Sequence, residues 1–124
     1  MRKFALLLFA MVMVFTLTAC GKSEAAQAVD DLILSLEVVD ENSRAAIEEA
    51  EAAYNALSDK EKQSLDNYAH LEEMRSAFDE FMANQAVTAI SWIGLVTENS
   101  WDDIQNARQI YDGLTDAEQA LVSN

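Results

Sequence analysis

The chain of 124 residues has no proline, three glycines, one cysteine and one histidine, and its eight basic residues face 22 acidic ones. With so little proline and glycine, the composition favours long helices over sheets and tight turns. A single cysteine, Cys20, permits no disulfide within the chain, so stability must come from packing. The excess of acid repels phosphate backbones, which argues against nucleic acid as a partner.

Residues that usually carry catalysis are equally scarce. His70 has no cysteine or second histidine beside it, so we expect a partly exposed helical residue rather than a metal ligand. Acidic groups such as Asp102-Asp103, or Asp112 with Asp116 and Glu118, could suggest a calcium site, but none has the EF-hand spacing. Acidic residues at the starts of helices interact well with the amide dipoles and need no ion. The chain has no Gly-x-Ser-x-Gly and no glycine-rich phosphate loop. We therefore expect no catalytic residues, no metal site and no cofactor.

The amino-terminal segment carries the most specific signal. Two basic residues precede an apolar run over 4–17, and small residues then lead to a cysteine. This is the layout of a secretory signal, and the run is shorter than the roughly 20 apolar residues that cross a bilayer. Its end, Leu17-Thr18-Ala19-Cys20, resembles the lipobox of bacterial lipoproteins.

The resemblance implies a removed signal peptide, residues 1–19, and diacylglyceryl and acyl chains such as palmitate on Cys20. Two or more chains give stable membrane anchoring. Residues 20–26 would then form the acylated cysteine and a short tether on the extracytoplasmic face, on a Gram-positive surface rather than in a Gram-negative periplasm. The mature part would keep six basic and 22 acidic residues, a formal charge near −16. The alternative is an ordinary secretory signal that leaves Cys20 as a free thiol.

Apolar residues at steps of three and four predict helices in the remainder of the chain. A first helix covers 29–39, and Ser43 is expected to cap a second. Ser58 opens a third, with Glu61 at the reciprocal position of a capping box, and this helix is expected to carry an apolar stripe from Leu65 to Phe81. The apolar steps continue without proline or glycine, which predicts one helix from about Tyr68 to Val96. A break near Asn84 is the competing prediction.

The pattern repeats at a shift of 57 residues, with twelve identities in a 35-residue window. The paired positions are Ile33, Val39, Glu41, Asn42, Ser43, Ile47, Ala50, Tyr54, Leu57, Asp59, Glu61 and Asn67, each with the residue 57 later. We therefore expect an all-α fold, a tandem three-helix-bundle-like repeat with unit 1 at 27–83 and an incomplete unit 2 at 84–124. Because the second unit has no counterpart of 68–83, we expect a truncated chain; a two-helix remnant is the alternative.

The segments SRAAIEEAEAAYNALSDKEKQSLDN and SWDDIQNARQIYDGLTDAEQALVSN, which begin at Ser43 and Ser100, carry the repeat. They resemble a helical repeat of Gram-positive surface and secreted proteins. That resemblance implies a spacer or ligand-presenting module without catalysis. Asp40 departs from the second copy, which has Thr97 at the same turn position.

Two tryptophans stand out against this pattern. Trp92 and Trp101 align with Ser35 and Arg44, which are polar, so both should lie outside the apolar stripe. Exposed aromatics on a charged surface are candidates for contact with a protein or glycan partner. The alternative is that they cover a further unit or a third helix.

The sequence therefore predicts a membrane-anchored extracytoplasmic lipoprotein that acts as a non-enzymatic helical spacer or binding module. The alternative is an accessory subunit of a transporter or a cell-wall enzyme complex.

Overall fold

The computed structural model describes residues 21–123, and all regular structure in that range is helical, which confirms the predicted all-α class. The helices are α1 (Glu24–Leu34), α2 (Ser43–Asn55), α3 (Asp59–Lys62), α4 (Tyr68–Ile93), α5 (Trp101–Asp112) and α6 (Asp116–Ala120). The predicted signal peptide and lipobox, including Cys20, lie outside the described residues.

The main core forms where α1 and α2 pack against the first half of α4. Its helical members recur at steps of three and four residues, so each helix turns one apolar face inward, and Leu36 and Leu57 add to the core just after the ends of α1 and α2. The members of the core are Val29, Ile33, Leu36, Ile47, Ala50, Leu57, Leu71, Met74 and Phe78. Burying each large side chain contributes roughly 1.5–3 kcal/mol, which makes this cluster the principal source of stability.

A second, thinner layer forms where α5 and α6 pack on α4. Its buried apolar residues are mostly alanines: Ala83, Ala86, Ala89 and Ala107, together with Leu114. Small side chains let the helix axes approach closely, but they bury little area. This layer therefore rests on less apolar burial than the main core.

The tether predicted at 20–26 is wrong over its last residues. α1 already begins at Glu24, because Ser23 caps it: the Ser23 hydroxyl oxygen accepts the backbone N–H of Ala26 at 3.1 Å. α1 also ends at Leu34, five residues before the predicted Val39. α1 therefore begins four residues after Cys20 in the sequence.

Ser43 does not cap α2 as predicted. It is the first helical residue, and Asn42 takes the cap position without a side-chain hydrogen bond. The Ser43 hydroxyl instead accepts the N–H of Asp40 at 2.9 Å and donates to the carbonyl of Val38 at 3.1 Å. The hydroxyl therefore bonds backbone groups of the preceding loop instead of the first N–H groups of the helix, and serine side chains commonly form such local bonds.

The third predicted helix is divided in two. The capping box at Ser58 and Glu61 forms as predicted, but α3 ends at Lys62. The buried carboxylate of Asp30 then accepts the backbone N–H groups of Asp66 and Asn67, at 3.3 and 3.1 Å. These bonds hold the chain in a turn before α4 begins.

α4 is continuous over 26 residues, so the predicted break near Asn84 is wrong. It stops at Ile93, three residues short of Val96, where Gly94 adopts φ +58° and ψ −135°. Only glycine takes that conformation readily, so it ends the helix. Among residues 21–123, no helix combines the length and apolarity that crossing a membrane requires.

Two pairs of local structures have matching hydrogen bonds. Asp40 N–H donates to the Ser43 hydroxyl at 2.9 Å, and Thr97 N–H donates to the Ser100 hydroxyl at 3.0 Å. The side chains of Asp40 and Thr97 each accept the N–H two residues later, so the two residue types perform the same task. Capping boxes open both α3 and α6, the second formed by Thr115 with Glu118.

Candidate interaction surface

One side of α2 is covered along its length by the first half of α4. The Arg44 guanidinium lies 5.0 Å from the centroid of the Phe78 ring, and Ile47 is fully buried in the core. One turn on, Glu51 accepts two hydrogen bonds from Arg75, at 2.7 and 2.5 Å. The Tyr54 ring finally stacks on the Tyr68 ring, with centroids 4.3 Å apart.

The numbers of these partners run in opposite directions, so the two helix segments are antiparallel. α4 contributes Phe78 first, then Arg75, then Tyr68, as α2 is followed from its start. Each contact has its own chemistry: cation–π at the first, a forked ion pair at the second and aromatic stacking at the last. The hydrogen bonds that Arg75 donates to Glu51 raise the pKa of Arg75 above its usual value.

The corresponding side of α5 is partly to largely exposed within the described part of the chain. Its residues at the same positions are Trp101, Ile104, Arg108 and Tyr111, at steps of three, four and three. Trp101 is 65 % exposed, Tyr111 is 36 % exposed and Ile104 is half-buried. We call these four residues the open α5 face.

Trp92, the other tryptophan of the predicted interaction patch, extends the exposed apolar surface beyond the open α5 face. Trp92, in the last turn of α4, is 78 % exposed, and Trp101 begins α5 after the connection 94–100. Leu95 and Val96 in that connection are also largely exposed. Both tryptophans remain mostly exposed among the residues that the structure describes. Val39, the counterpart of Val96, packs instead against the main core.

A buried ion pair ties the second layer to the first. Glu118 is fully buried, and its carboxylate accepts the Arg44 guanidinium at 2.7 Å and the Thr115 backbone N–H at 2.7 Å. Asp79 lies in the same electrostatic environment. Burial raises the pKa of Asp79, Arg75 lowers it, and Glu118 raises it again, with a net rise. Glu118 therefore has a structural role rather than a place in a calcium site.

A second buried carboxylate, Asp30, joins α1 to the start of α4. Lys22 forms hydrogen bonds to Asp30 and, at 2.6 Å, to Asp66. Burial by itself would raise the pKa of Asp30, but the bonds from Lys22 and from two backbone N–H groups outweigh it, and the pKa is lowered. The same bond to Asp30 raises the pKa of Lys22. Asp30 therefore stays ionised inside the fold.

A groove of about 500 Å³ runs beside the α2–α4 seam, and its lining includes Tyr54, Tyr68, Glu72 and Arg75. Arg75 is its one cationic residue, and Glu51 already engages the guanidinium with both oxygens. Burial raises the pKa of Tyr68, so its hydroxyl stays protonated. These residues stabilise the seam and offer no activated nucleophile or base.

His70 lies half-buried on α4, where its Nε2 makes a 2.9 Å hydrogen bond with the carbonyl oxygen of Leu36. A carbonyl only accepts, so Nε2 carries the proton and ties α4 to the end of α1. Within residues 21–123, no three histidine, cysteine, aspartate or glutamate side chains come close enough to hold a metal ion.

Sequence reasoning missed both buried carboxylates. Asp30 stands at the same helical face as Val29 and Ile33, and an acid inside an apolar stripe is the signal that it is buried with a partner. No comparable signal existed for Arg44 with Glu118, which are 74 residues apart in the chain. No protein-family model, no curated protein and no solved structure matches this chain, so function rests on its own residues and geometry.

Proposed function

We propose that this protein is a lipid-anchored, extracytoplasmic helical module that binds a partner and catalyses no reaction. The order of charge, apolar run, small residues and cysteine over 2–20 supports the anchor. The open α5 face is the observation that carries the binding role, because a plain spacer has no need of exposed aromatic rings. Two tandem helical units, 27–83 and 84–124, joined through α4, form the body of the module.

The anchor would hold the body close to the bilayer. Only Gly21 separates Cys20 from Lys22, and Lys22 is fixed to Asp30. Two residues span at most about 7 Å, so α1 would start at the membrane surface. The strongly acidic body would be repelled by anionic head groups, which keeps it upright rather than adsorbed.

Labelling with a fatty-acid analogue in a bacterial host tests the anchor. The full chain should incorporate the label and Cys20→Ala should not, whereas Thr16→Ala, just outside the motif, should label normally. Label that persists on the Cys20→Ala chain contradicts lipidation.

Photo-cross-linking on intact cells tests the binding role. A cross-linking residue at Trp101 should give an adduct of one defined mass, and the same residue at Lys60, exposed on α3, should give none. Equal patterns at both sites would favour a spacer. A stoichiometric adduct with a membrane or cell-wall enzyme would favour the accessory subunit, the second candidate that an exposed aromatic face supports.

A further inference from the structure

We propose that the open α5 face binds an antiparallel amphipathic helix of a partner. This helix would carry aromatic residues spaced like Tyr68 and Phe78 of α4, and an acidic residue at the position that Arg75 takes in α4. This inference rests on the proposed binding role and names the chemistry of the partner.

The covered side of α2 provides the template. Arg44, Ile47, Glu51 and Tyr54 are met in order by one helix, through Phe78 at one end and Tyr68 at the other. The open α5 face has the same residue spacing, and its helix begins after a loop with the same hydrogen bonds. Side chains at this spacing can meet a helix of the same kind in the same order.

Two of the four positions conserve what they offer such a helix. Ile47 is matched by Ile104, and Tyr54 by Tyr111, which presents a ring for stacking in the same place. Tyr111 is 36 % exposed, so part of the residue remains accessible. In the partner helix, an aromatic residue ten positions before the phenylalanine that meets Trp101 would stack on Tyr111, as Tyr68 stacks on Tyr54.

At the start of the face, Trp101 replaces Arg44. In α2 the guanidinium lies over the Phe78 ring, and an indole in the same position meets that ring by aromatic packing instead. The phenylalanine of the partner is therefore retained. This contact also accounts for a large aromatic side chain that is 65 % exposed.

Charge then distinguishes the partner from a second copy of this chain. Glu51, which binds Arg75, is replaced by Arg108, and Arg108 has no ion-pair partner among residues 21–123. A helix identical to α4 would place Arg75 against Arg108, and like charges at that contact repel. A glutamate or aspartate in the partner, at the position of Arg75, would form an ion pair with Arg108, with the two charges exchanged relative to Glu51 and Arg75.

Two synthetic peptides that cover residues 66–83 test the proposal against the full chain in detergent micelles. Both carry Glu73→Lys and Glu80→Lys on the outer face, which reduces general repulsion, and one also carries Arg75→Glu. Both parent glutamates are exposed in α4. Peptide fluorescence anisotropy, with empty micelles as a blank, gives the affinities.

The Arg75→Glu peptide should bind saturably and about threefold or more tighter than the peptide that retains Arg75. An Arg108→Glu chain should reverse that preference. Trp101→Ala should weaken both peptides, and Gln109→Ala, on the far side of α5, should change neither. Circular dichroism of each variant checks that the helices remain.

The proposal would be overturned if the two peptides bound equally, if the peptide that retains Arg75 bound more tightly, or if neither bound saturably. An unchanged preference in the Arg108→Glu chain would overturn it as well. A partner cross-linked at position 101 without any peptide binding would overturn the helix and keep the binding module. Absence of both would count against the module itself.

Discussion

Arg44 on α2 and Glu118 on α6 are joined at 2.7 Å, the guanidinium donating to a fully buried carboxylate. This contact links the main core to the last described helix, across 74 residues of chain. The same guanidinium lies over the Phe78 ring, so Arg44 makes an ion pair and a cation–π contact at once. The second layer, whose buried residues are mostly alanines, is held in place by this polar contact as well as by packing.

Replacing Arg44 by methionine keeps much of the apolar stem and removes the charge. Glu118 then remains buried without its cation, which should lower the free energy of unfolding by about 3 kcal/mol. Arg108→Met, on the exposed face of α5, is the matched control and should change it by less than about 0.5 kcal/mol. Urea unfolding followed by circular dichroism measures both; equal effects would show that the pair contributes nothing specific.

The stability of the protein should depend on Asp30 in acid. Its pKa is lowered in the fold, so its contribution is complete above the unfolded pKa of 3.8 and is lost as pH falls below that value through the folded pKa. Asp30→Asn should cost about 2 kcal/mol at pH 7, through loss of the ion pair with Lys22 and weaker bonds to the N–H groups of Asp66 and Asn67.

The difference in stability between the native chain and Asp30→Asn should therefore shrink as the pH is lowered from 5 towards 2. Urea titrations across that range measure it. Asp31→Asn, the exposed neighbour, provides the control and should show a small difference. A difference for Asp30→Asn that stays constant with pH would contradict the assigned ionised state.

Gly94 should be the glycine that resists substitution. An added Cβ meets no atom within 4 Å, so any cost arises from its φ of +58° rather than from a clash. Gly94→Ala should lower stability by about 1–3 kcal/mol. Gly113→Ala is the control and should lower stability less, because Gly113 has a φ of −80°. A Cβ added there would lie 3.4 Å from the carbonyl oxygen of Gln109, an ordinary contact distance. Similar losses at both sites would argue against a strained helix end.

Trp92 and Trp101 are the two tryptophans of the chain, so intrinsic fluorescence reports on both alone. Exposures of 78 % and 65 % predict red-shifted emission and efficient quenching by acrylamide in the folded protein. Trp92→Phe and Trp101→Phe separate the two signals. Blue-shifted emission from Trp101 that acrylamide cannot quench would mean that the open α5 face is already covered, for instance by self-association.

Features set by neighbours in the chain were predictable. The capping box at Ser58 needs only Glu61, three residues away, and the long α4 follows from apolar steps without a proline or glycine to stop them. Exposure of Trp92 followed from its polar counterpart Ser35, which is exposed as well. Exposure of Trp101 did not follow from Arg44, because the Arg44 side chain lies over Phe78 and joins the buried Glu118. The helix ends were less predictable: Ser43 bonds its own loop, and Gly94 ends α4 by a backbone conformation.

By itself the sequence determined the helical class, the 57-residue periodicity, the acidic charge and the lone Cys20, because composition and short-range spacing fix them. Tertiary structure decided that Lys22 pairs with Asp30 and Arg44 with Glu118, since those partners meet only when separate helices pack. It also decided that α4 covers the α2 face and leaves the α5 face open. A pattern gives two faces the same spacing; which of them is buried depends on what folds against it.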